Sequence, residues 1–452
     1  MRHGEWTKTQ HSMVRGVGIR LILFVGILCG GGTVSVCRSE DLTNLGGALS
    51  SDLEGRHAIQ ASAPNVTDPE RIGAQTAGFA PFHRITTAKD GLGPGFINAS
   101  CAGCHVNNGK GPVSFGSPAR TGSSMVVKVK PRKLLPDGSA PEVPGVGRQI
   151  LDQSLSKPFK RTLTVNWEES KGSYRDGKKY SLRKPKIVLP RGLKIPRGTI
   201  SSLRMSPPMI GMGLLEAIPS ETIVGWSDEQ DVDKDGISGR VNMVKDVSSG
   251  DVAVGRFGFK ATHPTVVQQT ASALYHDMNI TNPMFGDEKT PAEATLDQMH
   301  SIAIYLRLAG VPKARSQETP SVLAGKEIFQ RLKCDSCHKM SVTTGAHADP
   351  ELSAQTIHPF TDLLLHDMGP GLADGWNEFS AKGREWRTTP LWGLGFLKQL
   401  GTKKLVYLHD GRARTLEEAI LWHGGEASAS QKAFVALPKT DRRSLIDFLN
   451  SL

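Results

Sequence analysis

Cysteine is scarce in this sequence. The chain has six cysteines in 452 residues, and two of them, Cys29 and Cys37, lie within or just after an N-terminal apolar run. If both are removed with that run, no spare pair of thiols is left beside the four cysteines described below. The mature chain then cannot itself perform dithiol–disulfide exchange, because that reaction needs two free sulfurs.

Long apolar segments are also few. The one candidate, residues 21–36, follows Arg15 and Arg20 and is interrupted by glycines at positions 30–32. Its length and basic flank predict a signal peptide over residues 1–39 rather than a membrane-spanning helix. We therefore expect an exported, periplasmic protein, with membrane association only if this segment is retained or lipidated.

The chain is basic but lacks a nucleic-acid-binding motif. Its formal net charge is +11, and with no such motif we expect no nucleic-acid partner. Many of the basic residues fall at about 125–200, where short β-prone runs alternate with turn pairs such as Asp137-Gly138 and Asp176-Gly177. This pattern predicts a β-rich insertion. Its charge indicates a solvated surface or a site that docks an acidic partner.

Four of the six cysteines belong to a repeated motif. The pattern C-x-x-C-H occurs twice, at Cys101-Ala-Gly-Cys104-His105 and at Cys334-Asp-Ser-Cys337-His338. Two thiols at this spacing reach the two vinyl groups of a porphyrin, and the histidine that follows binds the iron. A zinc half-site or a redox dithiol would explain one isolated C-x-x-C, but the repeated histidine favours two c-type haems. Export agrees with this interpretation, because covalent haem attachment takes place outside the cytoplasm.

Residues 317–452 have the pattern of a cytochrome c-like domain. An apolar helical face from Gly325 to Leu332 leads into the second motif, and another helical face ends the chain at Leu452. Between them, a helix that begins at Thr415 places His423 on its apolar side. His423 is therefore the predicted sixth ligand of the second haem, and three other side chains compete for this role: His366, Met368 and His409.

Residues 40–316, which contain the first motif, hold two weaker candidates for roles at the first haem. Met278 ends a helical face formed with Val267, Ala271 and Leu274. It is either an axial thioether ligand or a core side chain. Glu216 lies in an apolar stretch, where a raised pKa would suit a catalytic proton shuttle. The alternative is a helix-terminal carboxylate that reaches solvent.

Asp231, Asp233 and Asp235 are spaced like the first half of a calcium-binding loop. Asn242 stands at the twelfth position, where an EF-hand has a bidentate glutamate, so the loop is not an EF-hand. A looser calcium site and a metal-free loop of Asx turns are both consistent with the pattern.

Longer motifs resemble a known family. They are the runs at residues 213–219, 235–240 and 255–261, and the stretch from Thr361 to Glu426 with its Thr-Pro, His-Asp-Gly and Thr-Leu-Glu-Glu elements. They are similar to the bacterial di-haem oxidoreductases, often labelled thiol oxidoreductases or peroxidases. A more distant likeness is to di-haem cytochrome c peroxidases, in which a methionine ligates the electron-transfer haem near the position of His423. The resemblance thus implies bis-histidine ligation and a lowered haem potential here.

Together these features predict a mainly α fold with two cytochrome c-like haem domains, at 40–316 and 317–452, and a β-rich insertion in the first. The resemblance implies a peroxidase-type oxidoreductase whose first haem reacts and whose second haem relays electrons. Its expected partners are a protein electron donor or acceptor and a small oxidant or reductant such as peroxide. The alternative is a non-catalytic electron-transfer protein, or a haem-bearing partner in a metal-uptake system.

Overall fold

The computed structural model describes residues 41–111, 124–155, 163–190, 192–286, 291–400 and 405–452. The predicted signal segment, residues 1–39, lies outside them. Among the described residues, no helix combines the length and the apolar character needed to cross a membrane.

Helices of nine residues or more form the main framework of the described chain. They are α1 (Pro69–His83), α2 (Val266–Met278), α3 (Leu296–Arg307), α4 (Pro320–Arg331), α5 (Ser428–Ala436) and α6 (Lys439–Ser451). Shorter helices lie at Cys101–Cys104, Met212–Glu216, Ser220–Gly225, Gly369–Leu372 and Leu416–Leu421. Helices α2, α4 and α6 confirm helices predicted from apolar spacing.

The strands pair in seven two-stranded sheets within the described residues. The longest are β1 (Met125–Lys130), β2 (Thr164–Ser173), β3 (Lys179–Val188) and β4 (Ile200–Met205). Ten further strands have two or three residues: Ser50–Ser51, Gly95–Phe96, Gln153–Ser154, Met243–Lys245, Val252–Val254, Val311–Pro312, Val342–Thr343, Thr356–Ile357, Leu365–Asp367 and Glu385–Arg387.

The predicted mainly α class is wrong. About 33% of the chain is helical and 18% is in strands. The long connections between the haem-motif helices explain the difference, because their β-branched runs pair as antiparallel ribbons instead of extending the helices. The four longest strands lie at residues 125–205, where the sequence predicts a β-rich insertion.

The ribbon formed by β2 and β3 reaches the C-terminal helices. Its strands pair from Thr164 opposite Val188 to Ser173 opposite Lys179. At its tip the Tyr174 ring packs against Phe434 of α5, and the Asp176 carboxylate accepts a hydrogen bond of 2.7 Å from Arg442 of α6. Arg442 is only 1% exposed, so this contact fastens the insertion to the second haem-motif region.

The same helix crossing occurs before each motif. Helix α1 packs on α3, and α4 packs on α6. A Cβ atom on Gly78 would lie 2.0 Å from the backbone oxygen of Ser301, and one on Gly325 would lie 2.1 Å from that of Ser444. In both pairs a glycine therefore allows two helix backbones to touch. Each first helix then leads to a C-x-x-C-H motif, which gives the two regions a common plan.

Alanine substitutions in α1 test this close approach. Gly78→Ala should destabilise the protein by about 1–3 kcal/mol, because the added methyl group overpacks the crossing. Gly73→Ala is a matched control in the same helix, where an added Cβ meets nothing within 4 Å. It should stabilise the helix by up to about 1 kcal/mol. Denaturant unfolding measures both changes, and equal effects would contradict the contact.

Candidate functional site

The first motif lines a large internal cavity. Ser100 caps the short helix of the motif by accepting a hydrogen bond of 3.0 Å from the Gly103 N–H. Cys101, Cys104 and His105 then face a cavity of about 240 Å³. One water molecule needs only about 10–15 Å³ on this measure. The cavity is therefore large enough for an extended organic group.

His105 is held in an orientation suited to a metal ligand. Its Nδ1–H donates a hydrogen bond of 2.8 Å to the Pro207 carbonyl oxygen. Burial lowers the pKa of His105 to about 4, so the ring is neutral at neutral pH. Because the carbonyl takes the Nδ1 proton, the lone pair lies on Nε2, where it can bind a metal.

The second motif repeats this arrangement. His338 Nδ1–H donates to the Phe360 carbonyl oxygen over 2.9 Å, and burial lowers its pKa to about 4. His423 Nδ1–H donates to the Ala419 carbonyl oxygen, one helical turn earlier, over 2.7 Å. His423 lies close enough to His338 for a charge on its ring to lower the pKa of His338. Within the described chain, Nε2 of both rings has no hydrogen-bond partner, so both can serve as axial ligands.

The competing side chains are used differently. Both ring nitrogens of His366 contact carboxylates, Nε2 with Asp362 at 2.8 Å and Nδ1 with Glu426 at 2.7 Å. His409 stacks on the Trp386 ring, with the ring centres 3.6 Å apart. Met368 stands just before the short helix Gly369–Leu372. These contacts favour His423 over the two other histidines as the sixth ligand.

Burial favours the protonated form of all four motif thiols. Burial raises the pKa of Cys101 and of Cys334 to about 12, and neither cysteine forms a disulfide. Thiolates are the form that binds zinc or attacks a disulfide. The raised thiol pKa values therefore argue against a redox dithiol, while at the second motif Cys337 also lies close enough to Asp362 and His366 for the three side chains to hold a metal ion.

A comparison with family models decides the relationship. A model described as "di-haem oxidoreductase, putative peroxidase" matches residues 152–298 and 287–452, more than half of the chain. The chain belongs to the di-haem oxidoreductase family. No match was found among curated proteins or among solved structures. The matched regions contain the second C-x-x-C-H motif, while the first precedes them.

The cavity of this di-haem oxidoreductase fits a porphyrin. Methionine, aromatic and proline side chains supply much of its wall: Phe82, Met205, Pro207, Pro208, Met209, Met212, Phe257, Phe259, Pro390 and Trp392. Such a lining suits the flat apolar ring, and His105 Nε2 offers the nitrogen donor that haem iron needs. The residues present therefore match the cofactor that the family implies.

Helix α2 of the di-haem oxidoreductase presents different faces to the core and to the cavity. Val267, Ala271, Leu274 and Met278 are buried in the hydrophobic core, and Met278 is not among the cavity-lining side chains. Its role as a ligand stays a prediction. The opposite, polar face of α2, with Gln269 and His276, lines the cavity instead.

The sequence argument missed two histidines in this wall. His276 Nε2 is 3.3 Å from Nη1 of Arg148, which pairs with the buried Glu378 carboxylate. His263 also lines the cavity, and its Nδ1 is 3.1 Å from the Thr262 hydroxyl. A signal for this wall was present in the sequence. It is the helical spacing of Gln269, Ala273 and His276, which places them together on the polar face of α2.

Glu216 does not have the predicted raised pKa. Burial favours its neutral form, but hydrogen bonds from His347 and Arg307 outweigh this effect and lower the pKa of Glu216. The Val266 N–H also donates to its carboxylate over 2.7 Å. The carboxylate is not among the groups that line the cavity. Its observed contacts give it a structural role, tying the segment at Glu216 to α2 and α3.

The acidic loop forms a local hydrogen-bond network. The carboxylates of Asp231, Asp233 and Asp235 accept backbone hydrogen bonds from Gly236, Asp235 and Ile237, respectively. Three acidic side chains also come within 4.8 Å of one another, namely Asp228, Asp231 and Asp233. Asx turns account for the hydrogen bonds, and calcium binding stays a prediction.

The structural role of Glu216 can be measured. Glu216→Gln should lower the free energy of unfolding by about 3 kcal/mol at pH 7, because Arg307 is left buried without its main carboxylate. The difference from wild type should begin to shrink as the pH falls below about 4.5, the ordinary pKa of a glutamate, and should be lost once the pH falls through the lower folded-state pKa of Glu216, since protonation then removes the ion pair from the wild-type protein as well. Urea unfolding at several pH values gives these numbers, with the exposed Glu221→Gln as control. A pH-independent difference would contradict the ion-pair explanation.

Proposed function

We propose that this di-haem oxidoreductase is a periplasmic enzyme of peroxidase type with two covalently bound c-type haems. The observation that carries this proposal is an asymmetry between the two sites. At the second motif, His338 and His423 both have a free Nε2. Among the described residues at the first motif, His105 has a free Nε2, while Nε2 of His276 lies 3.3 Å from Arg148 Nη1 and Nδ1 of His263 lies 3.1 Å from the Thr262 hydroxyl.

The asymmetry supports a division of labour. A haem held between two histidines has no open coordination position, so the second haem is suited to storing and passing single electrons. A haem bound in the first cavity by His105 alone would keep a coordination position for a small oxidant such as peroxide, next to a wall that carries His263 and His276. Reduction of one peroxide molecule to two waters consumes two electrons and two protons. Two haems can supply that electron pair.

The chain itself supplies positions, charges and a dry cavity. His105 and His338 would hold the irons, and the four motif cysteines would fasten the porphyrins. When bound, the haems supply one-electron chemistry at iron. Burial lowers the pKa of His263 to about 3 and holds that of His276 well below its ordinary value, so both rings are neutral and can accept hydrogen bonds. Arg148 and Lys128 hold fixed positive charge beside them against Glu378.

The cellular location follows from the same chemistry. Covalent attachment of c-type haem takes place outside the cytoplasm, and residues 1–39 have the composition of an export signal. A protein partner that donates or accepts electrons is part of the proposal, because the haems need a source of electrons between turnovers.

Spectroscopy of the purified protein tests the proposed reaction. We expect an intact mass that includes two haems, one high-spin ferric haem that reacts with peroxide, and one low-spin haem that does not. Absorption and electron paramagnetic resonance spectra distinguish the two states. Two low-spin haems that are both inert to peroxide would instead support the non-catalytic electron-transfer protein.

Substitution of His423 tests the assigned ligand. His423→Ala should convert the second haem from low-spin to high-spin, because its iron loses the sixth nitrogen. His409→Ala, which changes a buried histidine stacked on Trp386, should leave the second haem low-spin. Absorption and electron paramagnetic resonance spectra of the two variants measure the spin state of the second haem. An unchanged spectrum in the His423 variant would remove this ligand assignment.

A further inference from the structure

The wall of the first cavity carries unbalanced positive charge. Four cationic side chains line it, Lys128, Arg204, Lys260 and Arg387, against two carboxylates, Asp277 and Glu378. An isolated buried charge costs several kcal/mol unless an opposite charge or hydrogen bonds compensate for it. The lining cations therefore outnumber the lining carboxylates, which favours an anionic group inside the cavity.

Two of these cations meet at one corner, and Arg387 lines the same cavity. Lys260 Nζ is 4.0 Å and Arg204 Cζ is 4.3 Å from the centre of the Trp386 ring. Arg387 follows Trp386 in the chain, and its Nε–H donates a hydrogen bond of 2.9 Å to the Gly258 carbonyl oxygen. The corner is thus built from β4, from residues 258–260 and from the strand Glu385–Arg387.

The corner is incompletely neutralised. Arg204 and Lys260 share one carboxylate, that of Asp374, at 2.7 and 3.5 Å. Arg204 Nη1 is buried and has no hydrogen-bond partner. Arg387 donates only to backbone carbonyl oxygens within the described chain, and burial lowers its pKa to about 10. Unused guanidinium N–H groups are well suited to bidentate binding of a carboxylate.

We propose that Arg204, Lys260 and Arg387 bind the two propionate carboxylates of the haem in the first cavity. This inference rests on haem attachment at the first motif but not on the reaction with peroxide. The sign of the charge agrees, because propionates would neutralise lining cations that outnumber the lining carboxylates. The expected orientation of the porphyrin also agrees, because the cysteines would fix its vinyl edge at the motif. Ser206, two residues after Arg204, donates a hydrogen bond of 2.7 Å to the Cys104 carbonyl and so connects the motif to the segment that carries Arg204. The porphyrin would thus extend from the motif toward the Trp386 ring.

Resonance Raman spectra of the haem-loaded protein test the contact directly. Arg387→Met should shift the propionate-bending bands of the first haem. It should also lower the equilibrium constant for reduction of that haem about tenfold, or about 59 mV for one electron, because a cation that favours the reduced form is lost. Arg387→Lys keeps the charge but not the forked donor, and should largely restore the potential while the bands stay shifted.

The chain offers a closely matched control. Arg256 is also buried, has its pKa lowered to about 10, and donates to backbone carbonyls and a serine hydroxyl, but it does not line the cavity. Arg256→Met should leave the propionate bands unchanged. If Arg387→Met does not fold, Lys260→Met and Arg387→Lys provide the same spectroscopic comparison. Propionate bands that stay at wild-type positions in every cavity variant would overturn the assignment.

A small carboxylate from solution could bind these cations in the same way as a haem propionate. Titration with acetate distinguishes the two. With the corner filled by propionates, acetate should not perturb the first haem of the wild-type protein. If acetate alters that spectrum, and Arg387→Met abolishes the effect without moving the propionate bands, the corner binds a free carboxylate and the proposal fails. These measurements do not depend on whether the protein reduces peroxide, so failure of the proposed function would be recognised separately.

Discussion

The hydrogen bond from an imidazole Nδ1–H to a backbone carbonyl constrains the rest of this structure. His105 donates to Pro207 and His338 donates to Phe360. Both acceptors belong to irregular backbone that lies outside the helices and strands of the described chain. Phe360 has a φ of +55°, a backbone conformation that non-glycine residues seldom adopt. Non-helical segments are therefore needed to hold these two histidines, whereas His423 donates to a carbonyl of its own helix.

This requirement also accounts for the error in fold class. Local sequence predicts the helices that flank each motif, because their apolar residues repeat at helical spacing. The connecting segments carry no comparable signal, and their small ribbons become apparent only in the folded protein. Helix α1 was missed for a related reason: glycines and Pro81 interrupt it, and much of its surface is exposed. Its start signals, Asp68 and Pro69, were present in the sequence.

The same distinction applies to the site. The cysteines, the two adjacent histidines and His423 can be proposed from short motifs, and the family assignment made from longer motifs is confirmed. The individual site residues stay predictions. The cation corner could not have been anticipated, because Arg204, Lys260 and Arg387 are far apart in the chain. In the sequence, each of the three has the pattern of a solvated surface residue. Part of the net charge of +11, which the sequence analysis attributes to the surface, therefore lies inside the protein.

The tip of the β2–β3 ribbon restricts how this protein can be divided. The ribbon arises between the first motif and α2, yet Tyr174 and Asp176 at its tip contact α5 and α6. A fragment that begins after residue 316 would leave the Arg442 guanidinium without its carboxylate and would uncover the face of Phe434. Any single-haem version of the C-terminal half must therefore carry a grafted copy of the ribbon, or replace Arg442 with a neutral side chain.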